Sequence, residues 1–231
     1  MKRGRGLCLL ALLLLVTACG AKEETASKKL NLPAEGLTKL VIAHRNGDIH
    51  LVGNPDLDTI EVSAEIKAKG IKMEKLTLEL EAREETAYLD ARFRGQFLAS
   101  GSGTVDLEIA IPERFMVDIE SHRDGEIRIS DLSSSAKIAN INGRIEVVNL
   151  AGALEVDNRD GDVTVRDIGS DVEIANVNGH LVVNQVRGSA KIELGDGSLE
   201  LDNVEKDVTL SQSGNGKVTI GEVKGKLTQR K

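Results

Sequence analysis

The amino-acid sequence predicts an all-β protein, a single-stranded, right-handed parallel β-helix with 18-residue coils and an irregular N-terminal cap. Three observations lead to this fold class. Glycine recurs at a fixed interval in the C-terminal half, apolar residues keep constant offsets from each glycine, and large rings are scarce. Aromatic residues make up 2% of the 231 residues, with no Trp and one Tyr, so Val, Ile, Leu and Ala must form the core.

The regular repeat is centred on a turn dipeptide of Asp or Asn followed by Gly. Successive glycines are eighteen residues apart, with a final interval of nineteen: Gly125, Gly143, Gly161, Gly179, Gly197 and Gly216. Glycine adopts positive φ freely and Asp or Asn tolerates it, so each dipeptide predicts a tight corner between strands. A spacing kept over six units identifies a repeat protein.

Apolar residues fall two, four, seven and eleven positions after each glycine, and thirteen positions after each of the first five. In the first unit these residues are Ile127, Ile129, Leu132, Ala136 and Ile138. Alternation within each short run predicts strands. A meander of antiparallel hairpins does not demand identical offsets, whereas a parallel β-helix does, because each coil advances by one strand spacing of roughly 4.8 Å. Left-handed hexapeptide helices need an apolar residue every six positions, so the right-handed form is favoured.

Polar residues also recur at the coil interval. Asn140, Asn158 and Asn176 each lie fifteen positions after a glycine and predict an amide ladder, which stabilises in-register stacks. Twelve positions after the glycines, charges of mostly alternating sign predict ion pairs between coils, with Glu155 beside Glu173 as the exception.

The N-terminal half carries the same unit less regularly. Asn46 and Gly47 repeat the turn dipeptide, and we expect Ile60 and Val62 to complete its coil. Longer alternating segments follow, one of which ends at Pro112. We predict that they form irregular coils or a hairpin that seals one end of the stack, because the terminal repeats of a stack need a cap.

The first residues predict a targeting signal. A basic head precedes an apolar run of ten residues, Leu7 to Val16, which is too short for a membrane span of about 20. The sequence Val16-Thr17-Ala18-Cys19 resembles the lipobox of bacterial lipoproteins, which implies cleavage before Cys19 and its modification with lipid, including palmitate. A plain secretory signal with an incidental Cys is the alternative. The predicted organisation is therefore a signal peptide (1–18), a lipidated Cys with a flexible tether (19–36), irregular β coils (37–124) and regular repeats (125–231).

A family resemblance covers the chain from about Leu37 to its C-terminus. The run from Val105 to Pro112, followed by repeated Asp/Asn-Gly-x-Ile-x-Val units, resembles the β-strand-repeat lipoproteins of a bacterial adhesin-like family of unknown function. The resemblance implies a β-helix in the cell envelope, and it provides no catalytic motif. Gly20 follows Cys19 where Asp would hold a lipoprotein at the inner membrane, so similarity to Gram-negative sorting rules implies the outer membrane in such an organism.

Composition and motifs argue against several function classes. The net charge of -7 disfavours nucleic acid as a partner, and scarce rings weaken both single-strand and sugar binding. The four histidines, His44, His50, His122 and His180, have no metal-ligand spacing, and we expect them at the surface. No nucleophile elbow, phosphate loop or Cys-x-x-Cys occurs, so we predict no catalytic residue, metal or cofactor.

A polar row stands six positions after each glycine. Its members are Asp131, Asn149, Asp167, Gln185, Asn203 and Glu222. A solvated corner of residues that satisfy their own backbone is favoured, with weak calcium binding or a lyase-like active site as alternatives. The predicted function is that of a non-enzymatic, lipid-anchored envelope protein, an adhesin, scaffold or interaction surface. A polysaccharide-active β-helix enzyme and a polymer-forming scaffold are the alternatives. Expected partners are a membrane, through the anchor, and an envelope protein or glycan.

The last coil is basic although the chain is acidic. Its cations are Lys217, Lys224, Lys226, Arg230 and Lys231. Against Glu222 alone they give a local charge of +4. A stack of strands ends in an edge with unpaired backbone groups, and lysines discourage another chain from pairing there. We therefore predict a monomer, with an anion-binding patch or a random tail as alternatives.

Overall fold

The computed structural model describes residues 13–15, 23–94 and 101–230. This part of the chain forms two large sheets and one short 3-10 helix, Met73–Lys75. Sheet A contains, in spatial order, β1 (Leu13–Leu15), β2 (Glu23–Pro33), β5 (Thr59–Lys69), β8 (Ser102–Pro112), β4 (Ile49–Asn54), β10 (Ile127–Leu132), β12 (Ile145–Leu150), β14 (Val163–Ile168), β16 (His180–Val186), β18 (Ser198–Val204) and β20 (Val218–Ile220).

Sheet B faces sheet A across the core. It contains, in spatial order, β21 (Leu227–Arg230), β19 (Val208–Gln212), β17 (Ala190–Leu194), β15 (Val172–Asn178), β13 (Leu154–Asp160), β11 (Ala136–Asn142), β9 (Met116–Asp124), β3 (Lys39–His44), β7 (Thr86–Phe93) and β6 (Leu76–Arg83). From β9 onward the chain alternates between the sheets, one strand of each per coil, and forms a parallel β-solenoid.

The predicted parallel register is confirmed. Ile145 pairs with Val163 in sheet A, and Val156 pairs with Ile174 in sheet B, so neighbours across each ladder are eighteen residues apart. The last coil is shifted by one residue, since Leu199 pairs with Val218. Identical offsets therefore place identical kinds of side chain above one another, which fills the space between the sheets coil by coil.

The core is aliphatic, as the composition requires. Ile127, Ile145, Val163 and Leu181 stand two positions after their glycines and are fully buried. Burial of apolar surface stabilises a fold by about 25 cal/mol per Å², so a continuous column of such residues supports the whole stack. Phe115, which follows β8, is the largest of the fully buried side chains.

Both corners of the coil follow from local backbone chemistry. At the Asx-Gly corner, Gly161 has a φ of 126°, and a Cβ there would overlap the carbonyl oxygen of Gly143 one coil below. At the opposite corner, in the five coils from Gly125 to Gly197, the residue six positions after the glycine adopts the left-handed conformation, as at Asn149, with a φ of 57°. Asp and Asn tolerate this conformation better than other non-glycine residues, which explains their presence in the polar row.

Charged side chains on the outer face of sheet B pair between coils as predicted. The Lys137 Nζ lies 2.6 Å from the Glu155 Oε1, and the Lys191 Nζ lies 2.7 Å from the Glu173 Oε1. Glu155 and Glu173 are direct neighbours in the register between these two pairs. Each glutamate therefore has the other glutamate on one side and a lysine on the other.

The first coils do not stack in chain order. β4 lies between β8 and β10, and β3 lies between β7 and β9, so the Gly47 unit is an internal coil made of β3 and β4. The expectation that Ile60 and Val62 complete this coil is wrong. Both lie in β5, which pairs antiparallel with β8 within sheet A. Alternating apolar residues continue along all eleven residues of β5, which makes it longer than one side of a regular coil.

The predicted irregular cap at the N-terminal end is confirmed. β6 and β7 form an antiparallel hairpin at the edge of sheet B, and β2, β5 and β8 pair antiparallel in sheet A. β2 also contacts β6, so the two sheets meet at this end. The hairpins thus cover the end of the aliphatic core.

The predicted tether over 19–36 is partly wrong. Residues Glu23–Pro33 form β2, which pairs with β5 along its whole length, from Glu23 opposite Lys69 to Pro33 opposite Thr59. Leu30 is 3% exposed and packs into the core, and this contact gives the segment a reason to be ordered. β1 pairs antiparallel with β2, with Leu13 opposite Ser27. Residues 1–12 and 16–22, with the predicted cleavage site and Cys19, lie outside the described residues.

Candidate functional site

The predicted lipidation site lies outside the described residues, whereas most of the predicted basic patch lies within them. Cys19 and Lys231 lie outside the described residues, so lipidation of Cys19 stays a prediction. In the described ranges no helix has the length and apolarity needed to cross a membrane.

The basic patch of the last coil lies at the end of the stack. Lys217, Lys224, Lys226 and Arg230 are exposed, and the strands of this coil, β20 and β21, are the terminal strands of the two sheets. The Lys224 Nζ lies 3.6 Å from the Glu205 Oε1 of the preceding coil. The lysines therefore stand at a sheet edge, and their blocking role remains a prediction.

Two histidines predicted at the surface are buried, which corrects the sequence analysis. His44 and His122 are each 1% exposed, and their rings stack with centroids 5.2 Å apart and planes 14° apart. Each stands three positions before a turn glycine, Gly47 or Gly125, in the inward slot that Asn140 occupies in the next coil. Their common distance from the glycine was the signal in the sequence that could have revealed this burial.

Hydrogen bonds define the environment of the buried pair. The His44 Nε2 lies 2.8 Å from the Val105 carbonyl oxygen, and the His122 Nε2–H donates to the Gly47 carbonyl oxygen at 2.8 Å. Burial and, to a smaller extent, the neighbouring His122 lower the pKa of His44 from 6.5 to about 4. His44 is therefore neutral near neutral pH.

The predicted amide ladder continues from the histidines. The His122 Nδ1 lies 2.7 Å from the Asn140 Oδ1, the Asn140 Nδ2 donates to the Asn158 Oδ1 at 2.8 Å, and the Asn158 Nδ2 donates to the Asn176 Oδ1 at 2.8 Å. Leu194 occupies the same slot in the next coil and ends the ladder. The ladder links one coil to the next inside the core, so its role is structural.

The polar row of the sequence analysis borders an open groove of about 760 Å³ along one corner of the solenoid. One wall consists of Asn149, Asp167, Gln185, Asn203 and Glu222. The facing wall, two positions further along each coil, consists of Ala151, Gly169, Arg187, Glu205 and Lys224. All ten residues are exposed, so their side chains are free to meet a partner.

The groove walls offer hydrogen-bonding groups at the coil interval. The Asn149 Nδ2 donates to the Asp131 Oδ1 one coil below at 2.7 Å, so side chains of the row also bond to one another. The small residues Ala151 and Gly169 keep the facing wall low. Within residues 13–15, 23–94 and 101–230, no group of three or more His, Cys, Asp or Glu side chains is arranged to hold a metal ion.

Comparisons with known proteins find matches among the solved structures. No protein-family model matches the chain, and no curated protein matches it with statistical significance. The solved structures that match include a "putative cell adhesion protein" from Clostridium sporogenes, at 13% identity and a TM-score of 0.40. That match covers 90% of this chain and 99% of the other. The superposition is too loose to transfer any property to this protein.

Proposed function

We propose that the protein is a non-enzymatic, lipid-anchored interaction scaffold of the cell envelope. The observation that carries the proposal is the corner groove, whose walls repeat polar side chains at every coil from Asn149 to Glu222. Five coils at a strand spacing of about 4.8 Å give it a length of roughly 20 Å. An elongated partner, an envelope glycan strand or an extended protein segment, matches a groove of that shape.

The rigidity of the scaffold supports the same proposal. The groove floor is the backbone of buried residues such as Leu150 and Ile168, which are each 1% exposed. A rigid backbone holds the groove walls in one arrangement, so binding of a partner requires no ordering of the main chain, which favours affinity.

A substitution that fills the groove tests its role. Ala151 is exposed in the low wall, so Ala151→Arg should obstruct the groove without disturbing the core. Ala153→Arg is the matched control, since Ala153 is also exposed on the same coil but does not border the groove. In a form that begins at Gly20, and so lacks the acyl chains that would bind membrane on their own, the unsubstituted protein and the control should co-sediment with envelope fragments of the source bacterium, and Ala151→Arg should not. Equal sedimentation of all three proteins would rule out the groove as the docking surface.

The anchor has its own test. Cys19→Ser should remove the acylated residue, leave the precursor uncleaved by the lipoprotein peptidase and abolish labelling by a palmitate analogue. Several acyl chains bind a membrane firmly, because each buried methylene contributes roughly 0.8 kcal/mol, so the wild type should enter the detergent phase on phase separation. Recovery of the wild type in the aqueous phase would contradict the anchor.

The alternative of a polysaccharide-active enzyme makes a different prediction. Short turns join the coils next to the groove, and its carboxylates Asp167, Glu205 and Glu222 stand exposed in a shallow channel. Such a surface suits holding a polymer more than excluding water from a reaction. Incubation with envelope polysaccharides should release no new reducing ends or unsaturated products, and their appearance would overturn the non-enzymatic proposal.

A further inference from the structure

A second depression lies on the outer face of sheet B, far from the corner groove. It is bordered by β6, β7, β3 and β9, near the capped end, and has a volume of about 370 Å³. Pockets for small molecules have volumes of about 300–1,000 Å³, so a ligand of one or two sugar rings is within its range. The depression and the groove share no residue.

The floor of the depression is apolar. Val41 lies on the outer face of β3, between the buried Leu40 and Ile42, yet it is only 5% exposed. The longer side chains around Val41 therefore cover it, and it lies beneath the depression. Tyr88 of β7 is the direct register neighbour of Val41 and supplies an aromatic wall beside it.

The aromatic wall is held in place by a cation. The Arg83 guanidinium lies 5.1 Å from the centroid of the Tyr88 ring, which is a cation–π distance, and Arg83 is itself ion-paired with Glu81. The ring is half-buried, so part of it faces the depression. Tyr88 is therefore a preorganised apolar surface on an otherwise charged face.

The rim is charged but almost neutral in sum. The Arg92 guanidinium is fixed by two hydrogen bonds to Asp90, Nε to Oδ1 at 2.8 Å and Nη2 to Oδ2 at 2.6 Å. Arg94, Glu79 and Glu120 complete the rim. With Arg83 and Glu81 the lining holds three cations and four anions, a net charge of -1.

We infer that this depression binds a neutral saccharide unit through Tyr88 and the rim of carboxylates and guanidinium groups. A sugar hydroxyl is both donor and acceptor, so it can donate to Glu120 or Glu79 and accept from Arg92 or Arg94. The apolar face of the pyranose ring packs on the exposed part of the Tyr88 ring. A charged ligand fits less well, because Arg83 and Arg92 are already paired with Glu81 and Asp90 and the lining has a net charge of only -1.

The composition of the chain supplies a built-in reporter. Because it contains one Tyr and no Trp, its intrinsic fluorescence reports on Tyr88 alone. Titration of the full chain with cellobiose, maltose and lactose should give a saturable change in tyrosine emission for at least one of them. A response that rises linearly without saturation for all three would overturn the inference.

Substitutions separate binding from folding. Glu120→Gln changes an exposed rim residue, should leave the fold intact and should weaken binding by about tenfold, the effect of losing one hydrogen bond to a charged group. Glu173→Gln is the matched control, an exposed glutamate on the same face of sheet B outside the depression. Tyr88→Phe should retain binding and Tyr88→Ala should abolish it, both measured by calorimetry. Equal affinity in Glu120→Gln and Glu173→Gln would contradict the assignment.

Two further comparisons of binding affinity identify the class of the ligand and its source. Tighter binding of glucosamine or galacturonate than of the neutral sugars would overturn the neutral assignment. Soluble cello-oligosaccharides compared with cellobiose tell a glycan chain from a free sugar, and preferential binding of either supports the inference. Ala151→Arg should leave the Tyr88 titration unchanged, so failure of the groove and failure of the depression are distinguishable.

Discussion

The imidazole of His44, buried among aliphatic strands, makes the free energy of unfolding depend on pH. Its pKa falls from 6.5 to about 4 in the folded protein, because burial disfavours the charged ring and His122 adds to the effect, while Asp48 and Asp106 oppose it. The unfolded chain therefore binds the proton first as the pH falls. The free energy of unfolding should therefore keep its full contribution from His44 above pH 6.5. It should fall by about 3 kcal/mol in all as the pH is lowered from 6.5 to about 4.

Denaturant unfolding over this pH range checks the prediction. His44→Asn places in the slot the residue that three later coils carry there, so it should fold and lose most of the pH dependence between 6.5 and 4. His50→Asn is the control, because His50 lies on the outer face of β4, where its Nδ1 is 2.9 Å from the Glu108 Oε1. Equal slopes in His44→Asn and the wild type would contradict the prediction.

The column of stacked glycines makes one coil corner intolerant of any side chain. In Gly161→Ala the alanine would have to adopt a φ of 126°, and its Cβ would overlap the Gly143 carbonyl oxygen. The backbones of the two coils must therefore move apart. Gly36→Ala is the control, since Gly36 has a φ of 74° but nothing within 4 Å of its missing Cβ. The control should lose about 1 kcal/mol and Gly161→Ala at least about 3 kcal/mol. Thermal and denaturant unfolding measure the difference, and similar losses would show that conformation alone matters.

At the residue scale the sequence was sufficient where a local rule applied. Asp-Gly and Asn-Gly dipeptides favour positive φ at the glycine, so the corners at Gly143 and Gly161 were predictable. Gly197 and Gly216 keep the dipeptide but do not adopt positive φ.

The burial of His44 and His122 was not predicted, because a polar residue in the sequence indicates a surface position unless its inward place in the coil is known. Asn140 and both histidines stand three positions before a glycine, and this common distance marks the inward position. The repeated apolar residues did not reveal it, because none of their offsets falls at this position.

The amide ladder should contribute as a unit. Asn158 is fully buried and bonds to both neighbours, so Asn158→Leu leaves the Asn140 Nδ2 and the Asn176 Oδ1 without these partners and also removes the bond to the Gly161 carbonyl oxygen. Each buried group left unpaired is expected to destabilise the fold by about 1–3 kcal/mol. Asn158→Leu should therefore lower the free energy of unfolding by several kcal/mol.

The end of the ladder provides the matched control. The Asn176 Nδ2 has no hydrogen-bond partner among the described residues, and the next coil carries Leu194 in the same slot. Asn176→Leu breaks a single bond, and the Asn158 Nδ2 keeps the Gly161 carbonyl oxygen at 3.2 Å. We expect near-neutral stability in denaturant unfolding. If both leucine variants were equally unstable, side-chain size would explain the effect and the ladder would not.

At the scale of elements, prediction succeeded where neighbours repeat and failed where contacts are irregular. The strands of the regular coils follow from offsets alone. β2 was missed because Lys28 interrupts its apolar alternation between Ala26 and Leu30. The insertion of β3 and β4 among later strands, and the depression around Tyr88 that depends on it, rest on long-range pairing that no local pattern encodes.

At the scale of the whole molecule, the two ends of the solenoid differ. Antiparallel strands of β2 and the β6–β7 hairpin cover the N-terminal end. The described chain ends with β20 and β21 at the other end, where Val218 and Ile220 are half-buried and Leu227 is 43% exposed. Apolar side chains beside unpaired strand edges favour association with another sheet, so this end needs protection.

The basic residues of the last coil are positioned to give that protection. Lys217, Lys224 and Lys226 are exposed next to the two terminal strands, and pairing of two such ends would bring like charges together. A chain that begins at Gly20 should sediment as a monomer. Replacing the three lysines with Thr should produce end-to-end association that increases with concentration.

A control with the same change in charge isolates the effect of position. Lys67, Lys137 and Lys191 lie on the outer faces of the sheets, each paired with a carboxylate, and exposed pairs of this kind contribute only about 0–1 kcal/mol. Their replacement with Thr should leave the protein monomeric, because Lys217, Lys224 and Lys226 remain next to β20 and β21. If the last-coil variant also stayed monomeric at high concentration, the lysines would not block the edge, and binding of an anionic lipid or glycan would become the better explanation for the patch.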